Sequence, residues 1–255
     1  MILYNMLNIL TLKTGDKYSP DYVNRLYKGL KRNSSVPFDF YCYTENSEGL
    51  DNNINVIDLI KRKEIKRHWY KFDLHDMSFL NGEKCFIMDI DVVVTGNVDD
   101  IINFDLPKGN FGACDKWWGS NKFNGGFQMF YQGETKYLRD EFLKDPKHWQ
   151  SFYFRTGRSP FLHGEQLFIE EHLQQEVTFL PREWLARYGT CEGKTGVEAY
   201  NLLEKYWKEK CDSHNRMIDN NGKINEKIKL VHFSGNSNYI EHHDNALFVQ
   251  DNWVE

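Results

Sequence analysis

The sequence predicts an α/β fold with a mostly parallel central sheet flanked by helices, and three observations predict it. Strand-like and helix-like segments alternate through the first third of the chain as βαββαβ. The segment KCFIMDIDVVV (84–94) is a continuous apolar run interrupted only by two carboxylates, the pattern of a strand buried on both faces of a sheet. The length, 255 residues, suits one large α/β domain with a sizeable core.

In chain order, Leu7 to Lys13 reads as the first strand, running into a Thr14-Gly15-Asp16 turn. Ser19-Pro20-Asp21 then supplies a helix cap, a proline at the first helical position and an early negative charge. Tyr22, Val23, Leu26, Tyr27 and Leu30 follow at helical spacing, with Lys28, Lys31 and Arg32 at the end the helix dipole favours for cations. Phe38 to Thr44 and Ile54 to Leu59 are the next strands, and a second helix is expected over Trp69 to Leu80. Beyond the apolar run, strands are expected at Phe111–Cys114, Gly126–Phe130 and Leu230–Phe233. Helices are expected at Glu134–Lys144, Gln166–Gln174 and Gly196–Glu209. Asn-Gly pairs at 81–82, 124–125 and 221–222 mark turns. The tail after Tyr239 is expected to pack back, since Leu247, Phe248 and Trp253 would otherwise be exposed.

A net charge of −5 argues against a nucleic-acid partner, because counterion release requires a basic face. The five cysteines are scattered and contain no CxxC pair, so reduced thiols in the cytoplasm are expected. Neither a signal peptide nor a stretch of about 20 apolar residues is seen. The aromatic share, 15%, excludes a disordered chain and calls for an explanation.

The chemistry concentrates at Asp89 and Asp91, which flank Ile90 at the end of the most apolar strand. Residues i and i+2 of a strand share a face, and strand ends are where open α/β sheets bind ligands. Close carboxylates repel unless a cation lies between them, and hard divalent ions prefer oxygen ligands that they share with phosphates. The residues alone leave a solvated acidic turn open. They also leave two chemistries open: a phosphohydrolase of the haloacid-dehalogenase type, and nucleotide-sugar glycosyl transfer. The hydrolase motif normally lies on the first strand, and no later acidic pair for its magnesium is evident.

Four blocks in order carry a resemblance: TLKTGDKY (11–18), the segment 69–101 around FIMDID, FNGGFQMF (123–130) and VHFSG (231–235). Together they resemble glycogenin and its relatives in glycosyltransferase family 8. That resemblance implies a GT-A fold (the Rossmann-like nucleotide-diphospho-sugar transferase fold) in a single domain over 1–255. About 1–100 would be the nucleotide-binding half, 101–235 the acceptor and sugar half, and 236–255 a tail. It implies a UDP-sugar donor, Mn²⁺ or Mg²⁺ as cofactor, and transfer of a hexose with retention to a glycan, lipid-linked or protein acceptor.

Carried over by motif, Asp89, Asp91 and His232 match the metal ligands, a mixed N/O set that suits Mn²⁺. Tyr18 matches the ring that stacks on uracil, with Thr11 and Lys13 on the strand before it; Tyr18 also fits a hydrophobic staple ahead of the Ser19 cap. Lys71 matches the lysine that approaches the diphosphate or sugar, and Ile90 offers backbone groups to the ribose. Asn124, Gly125 and Gly126 would floor the sugar pocket, while Gly235 belongs to the C-terminal motif. Glu165-Gln166 stands where the family carries Asp-Gln near the anomeric carbon, so its acid is one methylene longer. The C-terminal lysine is also missing: Asn236 and Asn238 stand there, leaving Lys13, Lys71 or Arg67 to supply the cation. These departures keep a non-catalytic nucleotide-sugar-binding protein in view. Trp117, Trp118, Phe123, Phe154, Trp184 and Tyr188 are candidates for an acceptor platform, with Trp117-Trp118 foremost.

Overall fold

A computed structural model describes residues 6–116, 119–154, 164–189, 224–234, 239–244 and 246–254. The first half follows the sequence in β1 (Leu7–Lys13), α1 (Pro20–Arg32), β2 (Phe38–Thr44) and β3 (Asn55–Asp58). The run 84–94, expected as one strand, instead breaks at Asp89–Asp91 into β4 (Lys84–Met88) and β5 (Val92–Val94), which enter different sheets. A short α2 (Asp99–Ile102) leads to β6 (Phe111–Lys116) and the long β7 (Gly119–Tyr131). Then come α3 (Lys136–Lys144), α4 (Pro146–Phe152), α5 (Glu165–His172), β8 (Val177–Leu180), β9 (Leu185–Gly189) and β10 (Leu230–Ser234). A final helix spans Leu247–Asn252.

Seven strands form the main sheet in the order β3-β2-β1-β4-β7-β6-β8. β1 pairs parallel with both β2 and β4, while β7 runs antiparallel to its neighbours β4 and β6. The chain therefore builds outward from β1 through β2 and β3, then returns to β1's other edge with β4. That reversal is a topological switch point, where a crevice opens beyond the strand ends. A second sheet, β5-β10-β9, is antiparallel between β5 and β10 and parallel between β10 and β9.

Apolar side chains of the main sheet pack on both faces. Leu7 and Ile9 meet Tyr22, Val23, Leu26 and Leu30 of α1; Leu10, Cys85 and Ile87 meet Trp69, Phe72, Phe142 and Phe168 on the other side. Much of the aromatic share is spent here, with Phe72 4.7 Å from Phe142 and 4.9 Å from Phe168, ring centre to ring centre. Cys42, Cys85 and Cys114 are buried free thiols, each pushed up to about 12 by burial.

Three more expectations need correction. Trp69–Leu80 is not an α-helix but two 3-10 segments, Arg67–His75 and Ser78–Leu80. Bonds such as Asp76 N–H to Asp73 O (3.1 Å) close three-residue turns. All of Trp69 to His75 is buried, so the segment has no solvent face to give it amphipathic α-helical form. Asn124-Gly125 lies inside β7 rather than at a hairpin turn. Its pairing to β6 slips there, from Ala113↔Gln128 to Cys114↔Asn124, and the extra residues bulge. The tail does pack back through Phe248, Val249 and Trp253, the last under the Arg25 guanidinium (4.2 Å), but Leu247 stays 68% exposed. The pair at 221–222 and the helix expected at 196–209 lie outside the described residues. Among the described residues no helix is long and apolar enough to cross a membrane.

Candidate active site

Backbone pairing brings the far end of the chain to the carboxylates. β10 lies antiparallel to β5 with His232 opposite Val92, and Phe233 N–H donates to Asp91 O at 2.8 Å. His232 Nε2 then stands 3.4 Å from Asp91 Oδ1 and 3.9 Å from Asp89 Oδ2. Asn124 Nδ2 lies 3.3 Å from the other ring nitrogen, Nδ1, and Nε2 faces the carboxylates. One donor atom each from Asp89, Asp91 and His232 lies within 4.8 Å of the others. Two oxygens and an imidazole nitrogen at this separation need only small rotations to share one divalent ion with bonds of about 2.1 Å. The residues fit such an ion.

Lys71 is the counterweight. Its ammonium is 2.7 Å from Asp89 Oδ1 and 3.1 Å from Glu165 Oε1, and donates to Gly125 O at 3.3 Å. Burial pushes its pKa down, but Asp89 and Glu165 outweigh burial and hold it above the ordinary lysine value. Two residues on, Asp73 is held by Arg62, by Arg139 Nε (2.9 Å) and by the Tyr43 hydroxyl (2.9 Å), which pins the segment that carries Lys71. Glu165 opens α5 behind Gly164, whose φ of +73° favours glycine and whose Cβ would meet His68 Nε2 at 3.1 Å. Burial raises the Glu165 carboxyl, yet Lys71 and His68 bring it below the usual range, so it is ionised. Its Oε2 is 3.3 Å from His68 Nε2, and both of its oxygens are therefore engaged. Asp91 is likewise raised by burial and brought below its ordinary value mainly by His232.

A cavity of about 620 Å³ opens at the switch point, walled by the ends of β1 and β4 and the start of α5. Tyr18, Lys71, Asp89, Ile90, Asp91 and Gln166 all line it. The Tyr18 hydroxyl donates to Asp91 Oδ2 (3.2 Å), and its ring packs on Tyr22 with centres 4.6 Å apart. Gln166 Oε1 accepts from Gly125 N–H at 3.1 Å, and Gly126 N–H donates to Asn124 Oδ1 at 2.9 Å. Neither glycine tolerates a methyl group: a Cβ would lie 2.0 Å from Gln166 Cγ at position 125 and 2.6 Å from Asp89 Oδ2 at position 126.

Thr11 and Lys13 do not line this cavity. Strand alternation puts them on the Leu7 and Ile9 face, against α1, and Leu12 takes the cavity side. Gly235, Asn236, Asn238, Trp117 and Trp118 lie outside the described residues. Of the other aromatic candidates, Phe123 and Tyr188 are core residues, Trp184 packs edge-on against Phe104, and Phe154 is 67% exposed. The residues the sequence did not single out are Lys17, His68 and Tyr239, all cavity-lining. His68 sits three residues before Lys71, one 3-10 turn away, and that spacing was the only signal for it.

No protein-family model and no curated protein matches the sequence. Solved structures do match in fold. The galactosyltransferase LgtC, in complex with donor and acceptor sugar analogues, is similar with a TM-score of 0.59 at 14% identity, over 95% of this chain and 94% of LgtC. The glycosyltransferase GlyE of Streptococcus pneumoniae TIGR4 matches with a TM-score of 0.59 at 13% identity, over 90% of this chain and 55% of GlyE. The chain thus spans about half the length of GlyE. Mouse xyloside xylosyltransferase 1 matches with a TM-score of 0.51 at 13% identity, over 91% of this chain and 98% of that one. At these identities the likeness is one of fold, and the fold is GT-A.

Proposed function

We propose that this protein is a metal-dependent glycosyltransferase that moves a hexose from a UDP-sugar to a glycan, lipid-linked or protein acceptor, with retention. The observation that carries the proposal is the convergence of Asp89, Asp91 and His232 at the mouth of the switch-point cavity, beside the Lys71–Glu165 pair. Glycosyltransferases that share the fold add support.

Asp89, Asp91 and His232 would hold Mn²⁺ or Mg²⁺, which when bound neutralises a diphosphate and stabilises charge on the departing UDP. Every other contribution comes from the chain. Tyr18, which lines the cavity, would stack on the base, and Ile90 would offer backbone groups to the ribose. Gln166, held by Gly125, faces the space left for the sugar, and the two glycines let that sugar approach the backbone. Lys71 cannot serve as a free phosphate clamp while it balances two carboxylates; Lys17 and Arg67, which also line the cavity, are the cations available to a diphosphate. Glu165 positions Lys71 and His68 rather than attacking, since both of its oxygens are engaged. In retention by same-face attack, the acceptor oxygen bonds to the anomeric carbon as the carbon–oxygen bond to UDP breaks, and the acceptor proton passes to the departing diphosphate oxygen.

Thermal shift with UDP, UDP-glucose and UDP-galactose, with and without Mn²⁺, followed by a donor-hydrolysis assay, tests this. The expected result is a nucleotide-dependent rise in Tm that requires the metal, and slow release of UDP. Phosphatase activity without UDP binding would overturn it, and binding without turnover would leave only the non-catalytic alternative.

A further inference from the structure

Arg67 is where three cavities meet. It lines the donor cavity, a groove of about 410 Å³ beside the ends of β1 and β2, and a cleft of about 500 Å³ between residues 64–69 and α4. It is also the only described non-glycine residue in the left-handed region, at φ +50°. No described residue forms a hydrogen bond or ion pair with its guanidinium.

The groove and the cleft share Lys66 and Arg67 and differ in their other walls. In the groove, Lys61 is paired with Glu45 (3.2 Å) and Arg62 with Asp73, while Lys63, Lys66 and Arg67 have no ion-pair partner among the described residues. In the cleft, Lys66, Arg67 and Lys147 are exposed and have no ion-pair partner among the described residues, against the single carboxylate of Glu64. Three uncommitted cations are gathered on one wall system of a chain whose net charge is −5. The cleft also carries an aromatic face, the 67% exposed Phe154. Its two walls are fastened together by one side chain: Gln150 of α4 donates to Glu64 O (2.6 Å) and Pro146 O (2.7 Å) and accepts from Lys66 N–H (3.0 Å). The cleft adjoins the sugar end of the donor cavity, because His68 lines both and reaches Glu165.

We propose that this cleft is the acceptor subsite and that it selects a saccharide bearing an anionic group, phosphate or carboxylate. Phe154 takes the apolar face of a sugar ring, and Lys66 and Lys147 take the anion, with Arg67 standing between the cleft and the donor diphosphate. The proposal rests on the glycosyltransferase reading for its role, but the cleft's binding preference can be measured without it.

Glucose 6-phosphate and glucose are suitable probes, titrated by ligand-observed NMR with UDP and Mn²⁺ present and again with both absent. Glucose 6-phosphate is expected to bind at least ten times more tightly than glucose in both conditions, with the preference falling as salt rises. In Lys66→Ser/Lys147→Ser, whose sites lie outside the donor cavity, the preference is expected to vanish while the UDP–Mn²⁺ thermal shift stays at the wild-type value. Phe154→Ala is expected to weaken both sugars alike. Equal binding of the two sugars, or a preference that survives in the double variant, would overturn the proposal. Absence of any UDP–Mn²⁺ shift alongside an intact phosphate preference would instead remove the donor reading and leave the anion cleft standing.

Discussion

Lys71 and Glu165 form a buried ion pair of 3.1 Å between a 3-10 segment and the first residue of α5, joining elements far apart in sequence. Asp89 at 2.7 Å from the same ammonium makes it a triad of one cation and two anions. Removing one member of a buried pair leaves the other charge unbalanced, at a cost of about 3–5 kcal/mol. Lys71→Met is therefore expected to lower stability by about that amount in urea unfolding. Lys71→Met/Glu165→Leu is expected to recover part of the loss, and strictly additive losses would refute the coupling.

Acid should destabilise the fold in two stages. His75 is buried against Phe130 and bonded to Thr135, and burial lowers its pKa to about 3. It is neutral when folded, so its contribution is complete above the unfolded value of about 6.5 and drains away as pH falls toward its folded value. Glu165 and Asp91, with folded values below ordinary, stabilise above about 4.3 and 3.9 and lose that contribution as pH falls through their folded values. Tm is expected to be level near pH 7–8 and to decline from about pH 6.5 downward. His75→Gln should flatten the upper stage and leave the lower one; an unchanged profile would count against it.

Metal dependence is testable apart from turnover. Calorimetry is expected to detect one Mn²⁺ per chain, and EDTA to abolish transfer that Mn²⁺ restores. Asp91→Asn should lose ion binding while its circular dichroism remains native. Full activity after exhaustive chelation would remove the proposed mechanism.

The bulge in β7 offers a pair of separable defects. Gly126→Ala would drive a methyl group toward Asp89 Oδ2 (2.6 Å), so Mn²⁺ affinity is expected to fall at least tenfold. Gly125→Ala would strike Gln166 (2.0 Å), so turnover should fall with Mn²⁺ affinity retained. Identical effects of the two substitutions would show that they act only by general unfolding.

Replacing Glu165 by Asp shortens the acid by one methylene, and the resulting side chain cannot reach both Lys71 and His68 from the same backbone. A loss in kcat of roughly tenfold or more is expected, about 1.4 kcal/mol of transition-state stabilisation, with KM for the donor little changed. A lower KM with unchanged kcat would argue that Glu165 has no part in placing the reacting groups.

The local sequence determined the strands through β4, the first helix and the strand-end carboxylates, because side-chain alternation, capping and apolar runs act over a few residues. The four family-like blocks brought Asp89, Asp91 and His232 onto one list. Tertiary structure decided the rest. Whether Trp69–His75 forms an α-helix depended on burial around its whole circumference, and whether Asn124-Gly125 turns or bulges depended on pairing with β6. It was long-range pairing that faced Thr11 and Lys13 away from the cavity, spent Lys71 on two carboxylates and left Arg67 and Lys17 at its mouth. Periodicity reports which face of an element is apolar; which charges meet across the fold is set only when the sheet order and the loops between its strands are in place.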